Sequence, residues 1–354
     1  MNKLHTGELL RSHLASYPKA EIEDVFKYLF HSALGCEHLV ASEERALGYI
    51  KNEYKSISSM SQPCVEALDG EYSRVHLSCL DGTLAPETLA RLFCLSAKKE
   101  ERGIEELEEK LAVARELVAR GDLPFGEKDF CKKLDEWREA GYPALHHSDT
   151  FREEYRPAYR VISNRYAKFL PLFSRIDALR NSGGASVVAI EGGSASGKST
   201  LGEILREVYD CNLFHTDDFF LRPEQRTPQR LAEIGGNIDR ERFCDEVADR
   251  LLRNEKVVYR PFNCSLQALG EEISVEPKPL SIVEGVYSMH PAFSRYYDLA
   301  VFLEIDAEYQ KKRILARNSP TFAKRFFEEW IPLEERYFVG TDIRARADMI
   351  IEIG

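Results

Sequence analysis

Long apolar runs are missing from this sequence of 354 residues. No stretch approaches the ~20 consecutive apolar residues that a membrane-spanning helix needs, so no membrane partner is expected. Positive charge is in deficit, with 48 Lys and Arg against 59 Asp and Glu and a formal net charge of -11. Such a balance argues against broad attraction to nucleic acid or anionic lipid, although a local basic pocket fits within an acidic protein. The eight cysteines include no C-x-x-C pair and belong to a chain too long to need staples. Reduced thiols are therefore expected rather than disulfides. The opening Met1-Asn2-Lys3-Leu4-His5-Thr6-Gly7 has neither the apolar core nor the cleavage site of a secretory signal, which points to a cytoplasmic protein. Internal repeats and low-complexity tracts are absent as well.

What is present, 44% hydrophobic and 30% charged residues, suits a folded chain with room for two cores. Residues 1–180 read as a mainly helical domain. Between Glu21 and Leu39 the residues Ile22, Val25, Phe26, Leu29, Phe30 and Ala33 recur at helical spacing. From Leu84 to Arg120, Pro86 can open a helix, Ile104, Leu107, Leu111, Val113 and Leu117 mark an apolar stripe, and Gly121 stops it. Asn181-Ser182-Gly183-Gly184 reads as a linker, placed at residues 181–185. Residues 186–354 change to short β-branched runs: Val187 to Ile190, Leu213 to Thr216, Lys256 to Tyr259, Leu280 to Val283, Leu299 to Ile305 and Met349 to Ile353. Helical patterns lie between several of them, so the second domain is expected to be α/β, a mostly parallel sheet flanked by helices.

Gly192-Gly193-Ser194-Ala195-Ser196-Gly197-Lys198-Ser199 fits G-x-x-x-x-G-K-[ST], the Walker A or P-loop pattern, between a predicted strand and a predicted helix. Glycines let the backbone wrap a phosphate chain, whose charge meets N–H groups and the positive end of the following helix. Lys198 is expected to reach the outer phosphates of ATP. Ser199 is expected to place its hydroxyl on magnesium, with Thr200 beside a nearer phosphate. Phosphoryl transfer to a hydroxyl also needs carboxylates. Asp217 and Asp218 follow an apolar strand, at the end where parallel sheets place ligands. Asp217 is the candidate general base, and Glu284, ending another strand, the candidate to orient a magnesium-bound water.

Together these residues resemble the uridine kinase and phosphoribulokinase family, which also contains pantothenate kinase and nicotinamide riboside kinase. The likeness spans roughly Ser186 to Gly354. His215-Thr216-Asp217-Asp218-Phe219-Phe220 is similar to the family's acidic-aromatic segment, which implies Asp217 as base with Asp218 and Phe219 near the acceptor. Gly236-Asn237-Ile238-Asp239 resembles its Asn-x-Asp stretch and implies Asp239 as a substrate contact, against the alternative of a helix cap. Val258-Tyr259-Arg260-Pro261-Phe262-Asn263 looks like the acceptor-lining segment of uridine kinases, implying Tyr259 and Arg260. Asn263 stands where uridine kinases have Asp, so uridine itself does not follow from the likeness. Arg313 and Arg317, four apart on one helix face, resemble the family's lid arginines, with Arg325 a weaker candidate. A solvated basic face is the alternative for them.

The resemblance implies an ATP- and magnesium-dependent kinase acting on a small-molecule acceptor, nucleoside or nucleoside-like, with no nucleic-acid partner. A nucleotide-dependent switch whose helical half recruits a partner is the second reading. The absence of an Asn-Lys-x-Asp guanine-reading segment tells against its GTPase form. Both a monomer and a homo-oligomer are compatible with the composition. In the helical half, His31 and His38 share a predicted helix face, and His146 and His147 occur later. A metal site needs three or four converging ligands, so helix packing is the simpler expectation for them.

Overall fold

The computed structural model describes residues 3–36, 40, 42–55, 57, 64–80, 84–97 and 103–354. Its contacts divide the chain into two compact units, Met1–Ala178 and Leu179–Gly354. Among the described residues, no helix is long and apolar enough to cross a membrane.

The first unit is largely helical. The stripe that begins at Ile22 forms the helix Ile22–Leu34, whose start is tied by Glu21 and Asp24 and whose end comes at Gly35. The predicted extension to Leu39 falls partly outside the described residues. Pro86 sits in the first turn of the helix Pro86–Ser96, where its missing N–H costs nothing. Gly103–Ala119 buries Leu107, Leu111, Val113 and Leu117.

Helices alone do not account for this unit. Strands β1 (Val65–Ala67), β2 (Tyr72–His76) and β3 (Tyr159–Ser163) form an antiparallel sheet in that order. Three to five residues are too few to show alternation clearly, and β3 comes from a segment far downstream. The expectation of reduced thiols also needs correction at one pair, because Cys64 and Cys79 form a disulfide with their Cα atoms 5.3 Å apart. Pairing of β1 with β2, Val65 opposite Val75, brings together two sulfurs that the sequence alone leaves unrelated.

In the second unit, β4 (Ser186–Gly192) is buried along its whole length, as expected for a central strand covered on both faces. It belongs to a five-stranded sheet with β5 (Asn212–His215), β10 (Leu280–Glu284), β11 (Leu299–Ile305) and β12 (Met349–Ile353). The order is β12-β11-β4-β10-β5, and every pairing is parallel. Ile190, Glu284 and His215 lie opposite one another in register, so three strands end together and deliver their loops to one edge. The predicted strand at Lys256 to Tyr259 is placed differently. It becomes β6 (Val257–Tyr259), paired antiparallel with β9 (Ile273–Val275), while β7 (Phe262–Asn263) pairs with β8 (Ala268–Leu269), all outside the parallel sheet. One face of the unit buries Phe214, Phe219, Phe243, Phe293 and Tyr337. A smaller apolar cluster joins Ala195 of the glycine-rich loop to Ile314, Ala323 and Phe326.

Candidate active site

The loop Gly192–Gly197 leaves β4 and enters the helix Lys198–Val208. Gly192 has φ +157°, and a Cβ there would come within 2.7 Å of Ser196 Oγ and 2.8 Å of the Leu303 carbonyl, so a side chain has no room. Ala195 sits at φ 64°, unusual for a residue with a side chain, and is held by its packing on Ile314. Lys198 Nζ donates to the Gly193 carbonyl at 3.0 Å across the loop, while Ser199 and Thr200 stand exposed on the first helical turn. Ser196 Oγ is buried with no partner. A curled backbone, a lysine, an orphaned buried hydroxyl and a helix N-terminus together make a cradle of the kind that takes phosphate oxygens.

Opposite the cradle, the chain leaving β5 turns through Thr216–Phe219. Asp217 is exposed there. Loss of surrounding water pushes its carboxyl above the usual value, Lys198 pulls it down and Glu284 adds to the rise. Glu284 is buried at the end of β10, and His215 Nδ1 lies 2.5 Å from its Oε1. That contact, against the opposing effect of burial, raises the pKa of His215 above 6.5. Gly285 has φ +139°, and a Cβ there would be 2.0 Å from Thr216 Oγ1, which itself donates to the Val286 carbonyl. Close approach at this glycine locks the β10 end against the Asp217 turn. Asp218 accepts from the Tyr259 hydroxyl at 3.2 Å, and its carboxyl is also raised, first by desolvation.

Not every expected residue reaches this cleft. Phe219 is fully buried, stacked on Tyr259 with ring centroids 5.4 Å apart, so it forms part of the floor's core and is closed to a ligand. Asp239 is buried and caps its helix: Oδ1 accepts from Arg242 N at 3.2 Å and Oδ2 from Gln225 Nε2 at 2.8 Å. Both oxygens are thus occupied by the protein, the cap alternative raised from sequence. Arg260 points its Nε to the Gly270 carbonyl at 2.7 Å. On the helix Ala307–Arg317, the Arg313 guanidinium hangs over the loop, both Nη atoms 3.8 Å from where a Gly197 Cβ would be. Arg317 is exposed one turn further on, and Arg325 is held by Glu329 at 3.2 Å.

Sequence reasoning missed Glu191, Glu334 and Arg242. Glu191 is completely buried beside the loop and accepts from the N–H groups of Gly192, Tyr287 and Met289 and from the Tyr337 hydroxyl, at 3.0 to 3.2 Å. Burial outweighs those donors and pushes its carboxyl up to about 7. The signal was an acid between an apolar run and two glycines, a place where a surface carboxylate does not belong. Glu334 accepts from the Ser194 N–H at 2.8 Å and from its hydroxyl, while Gln310 donates to the Ser194 carbonyl at 2.8 Å. Arg242 Nη2 donates to the Asp218 carbonyl at 2.7 Å, with its guanidinium over the Phe219 ring at 4.3 Å. These partners lie far away in sequence and carry no local motif.

No group of three His, Cys, Asp or Glu side chains converges for a metal among the described residues. Magnesium bound with a nucleotide takes most of its oxygens from phosphates and water, so one or two protein oxygens suffice. The exposed Ser199 hydroxyl, with Glu284 and Asp217 across the cleft, fits that demand. In the first unit, His147 is engaged by Asp24 and Tyr159, and His38 lies outside the described residues.

No family model matches the chain. A uridine kinase from Chlamydia pneumoniae is 22% identical over 182 residues, covering 47% of this chain and 80% of that protein. About half of the chain is thus similar to the uridine kinase-like P-loop kinases. Among solved structures, one described as a possible uridine kinase from Bacillus stearothermophilus is 20% identical, covering 51% of this chain and 98% of its own, with a TM-score of 0.39. Shikimate kinase from Bacteroides thetaiotaomicron is 16% identical, covering 48% and 86%, with a TM-score of 0.25.

Proposed function

We propose that the Leu179–Gly354 unit is an ATP-dependent kinase that transfers the γ-phosphoryl group to a hydroxyl of a small metabolite, nucleoside or nucleoside-like. The observation that carries this reading is a glycine-rich loop ending in Lys198 whose charge acts on the exposed carboxylate of Asp217. The loop amides and Lys198 hold the phosphates. Ser199 and Glu284 would hold magnesium directly or through water, and the ion would neutralise phosphate charge. Asp217 accepts the acceptor's proton, its raised carboxyl being more basic than an ordinary aspartate. Arg313 approaches the transferring group from above, supplying positive charge where negative charge gathers. Asp218 and Tyr259 form the wall next to the acceptor, held from behind by Arg242.

ADP release from ATP and magnesium, measured against nucleosides, nicotinamide riboside, pantothenate and sugar phosphates, tests the reading. Release is expected to rise with one acceptor and to disappear in Lys198→Ala. Release indifferent to every acceptor would instead favour a nucleotide-dependent switch.

A further inference from the structure

The Met1–Ala178 unit contains a cavity of ≈ 960 Å³. That is ample for a small organic molecule, since ligand pockets run to about 300–1,000 Å³. Its lining inverts the sign of the chain: Lys27, Arg45, Arg152, Arg156 and Arg160 face it, against one carboxylate, Glu53, among the described residues. In a protein of net charge -11, five cations around one hollow are a departure that solubility does not explain.

Three of these cations already have partners. Arg160 pairs with Glu53 through two contacts of 3.0 Å, Arg152 pairs with Asp149, and Lys27 Nζ donates to the Leu145 carbonyl. Arg45 and Arg156 have no carboxylate partner among the described residues. Arg156 is placed by a left-handed backbone, φ 44°, between the helix Asp149–Tyr155 and Pro157. Burial, with the charge of Arg74 added and against that of Asp24, pushes the Lys27 ammonium down to about 8.

The wall beside them is ordered. His147 Nδ1 lies 2.7 Å from Asp24 Oδ1, and its Nε2 lies 2.6 Å from the Tyr159 hydroxyl. A carboxylate only accepts, so Nδ1 carries the proton and Nε2 takes the bond from Tyr159, which fixes the ring on the cavity wall. Tyr49, 65% exposed, offers a second aromatic surface.

We propose that this cavity binds a phosphorylated small metabolite, its phosphate on Arg45 and Arg156 and its organic part against Tyr49 and Tyr159. Guanidinium groups match phosphate oxygens in a two-point geometry, and two unpaired arginines suit a dianion better than a single carboxylate. A hollow of this size with aromatic walls has room for more than free phosphate.

The test is calorimetric titration of the full chain carrying Lys198→Ala, which weakens phosphate binding by the glycine-rich loop and separates this site from the kinase reading. Phenyl phosphate, inorganic phosphate and malonate serve as probes. Phenyl phosphate is expected to bind saturably and more tightly than inorganic phosphate. Arg45→Gln and Arg156→Gln, both at exposed positions, should each weaken it about tenfold, the loss of one charge-assisted hydrogen-bonded contact. Tyr49→Ala should weaken phenyl phosphate and leave inorganic phosphate unchanged. No saturable binding, binding untouched by both arginine changes, or malonate binding as tightly as phenyl phosphate overturns the site or its phosphate chemistry. Equal affinity for the two phosphate probes overturns the organic ligand in favour of free phosphate.

Discussion

Asp217 combines two properties that pull against each other, exposure to the cleft and a carboxyl raised by its surroundings, with Lys198 lowering it and Glu284 raising it. A base acts in its deprotonated form, so kcat/KM should rise with pH along an acidic limb whose midpoint lies above 3.8, the ordinary aspartate value. Asp218, whose carboxyl is also raised, lies next in the chain, and the limb belongs to the pair as a whole. Asp217→Asn should lower kcat by roughly 10²- to 10⁴-fold, the usual worth of a general base. ATP affinity, read by nucleotide titration, should fall far less than kcat, because in this reading the loop amides and Lys198 hold the phosphates. A parallel loss of ATP binding would place Asp217 in the phosphate site instead.

Glu191 makes a different residue-scale claim. Its folded-state value, about 7, lies above the ordinary 4.5, so folding favours the protonated form. Its contribution to stability is fully present below about pH 4.5 and is lost as pH rises through about 7, a total on the order of 3 kcal/mol. Glu191→Gln does not titrate, and its amide meets backbone N–H groups with a second donor. The variant should therefore melt below the wild type at pH 5, with the gap narrowing by pH 8. A gap independent of pH would mean that Glu191 does not change its charge on folding in this range.

At the scale of elements, the helix Ala307–Arg317 is tied to the glycine-rich loop, since Ala195 packs on Ile314 and Gln310 bonds the Ser194 carbonyl. Arg313 is the side chain of that helix that overhangs the loop. Arg313→Ala should lower kcat by about tenfold to a thousandfold, on the scale of a lost charge stabiliser. Arg325→Ala removes a surface pair with Glu329 and an exposed contact with the Trp330 ring, and should change stability by no more than about 1 kcal/mol. Steady-state rates and thermal melts of the two variants distinguish a lid arginine from a solvated basic face; equal rates would favour the latter.

Elements also show what the sequence could carry. The cradle was readable because eight consecutive residues with their flanking strand and helix hold all the needed geometry. The placing of Asp217 and Glu284 at strand ends was readable from the apolar runs that precede them. Phe219 and Asp239 were read as ligand contacts from their neighbours in the chain, yet their fates were decided at a distance, by Tyr259 for one and Gln225 for the other. β1 to β3 are not legible locally, because all three are short and β2 pairs with β3 across more than 80 residues. The Cys64–Cys79 bond depends on the pairing of β1 with β2.

On the scale of the whole molecule, an acidic chain groups cations at two places, one in each unit. The first surrounds Lys198 and Arg313, and the second Arg45 and Arg156. Focusing positive charge in hollows while the surface stays acidic suits the capture of small anions and disfavours polyanions, which need a continuous basic face. Neither hollow predicts the other's ligand, so each stands on its own test.

The central claim is phosphoryl transfer to an organic hydroxyl, with Asp217 as base. It is tested most directly by following the label from ATP carrying radioactive γ-phosphate, in the presence of the acceptor that stimulates ADP release. The account predicts that label appears in the organic product and that Asp217→Asn abolishes this while still binding ATP. Label found only in inorganic phosphate, at the same rate in wild type and Asp217→Asn, would contradict it.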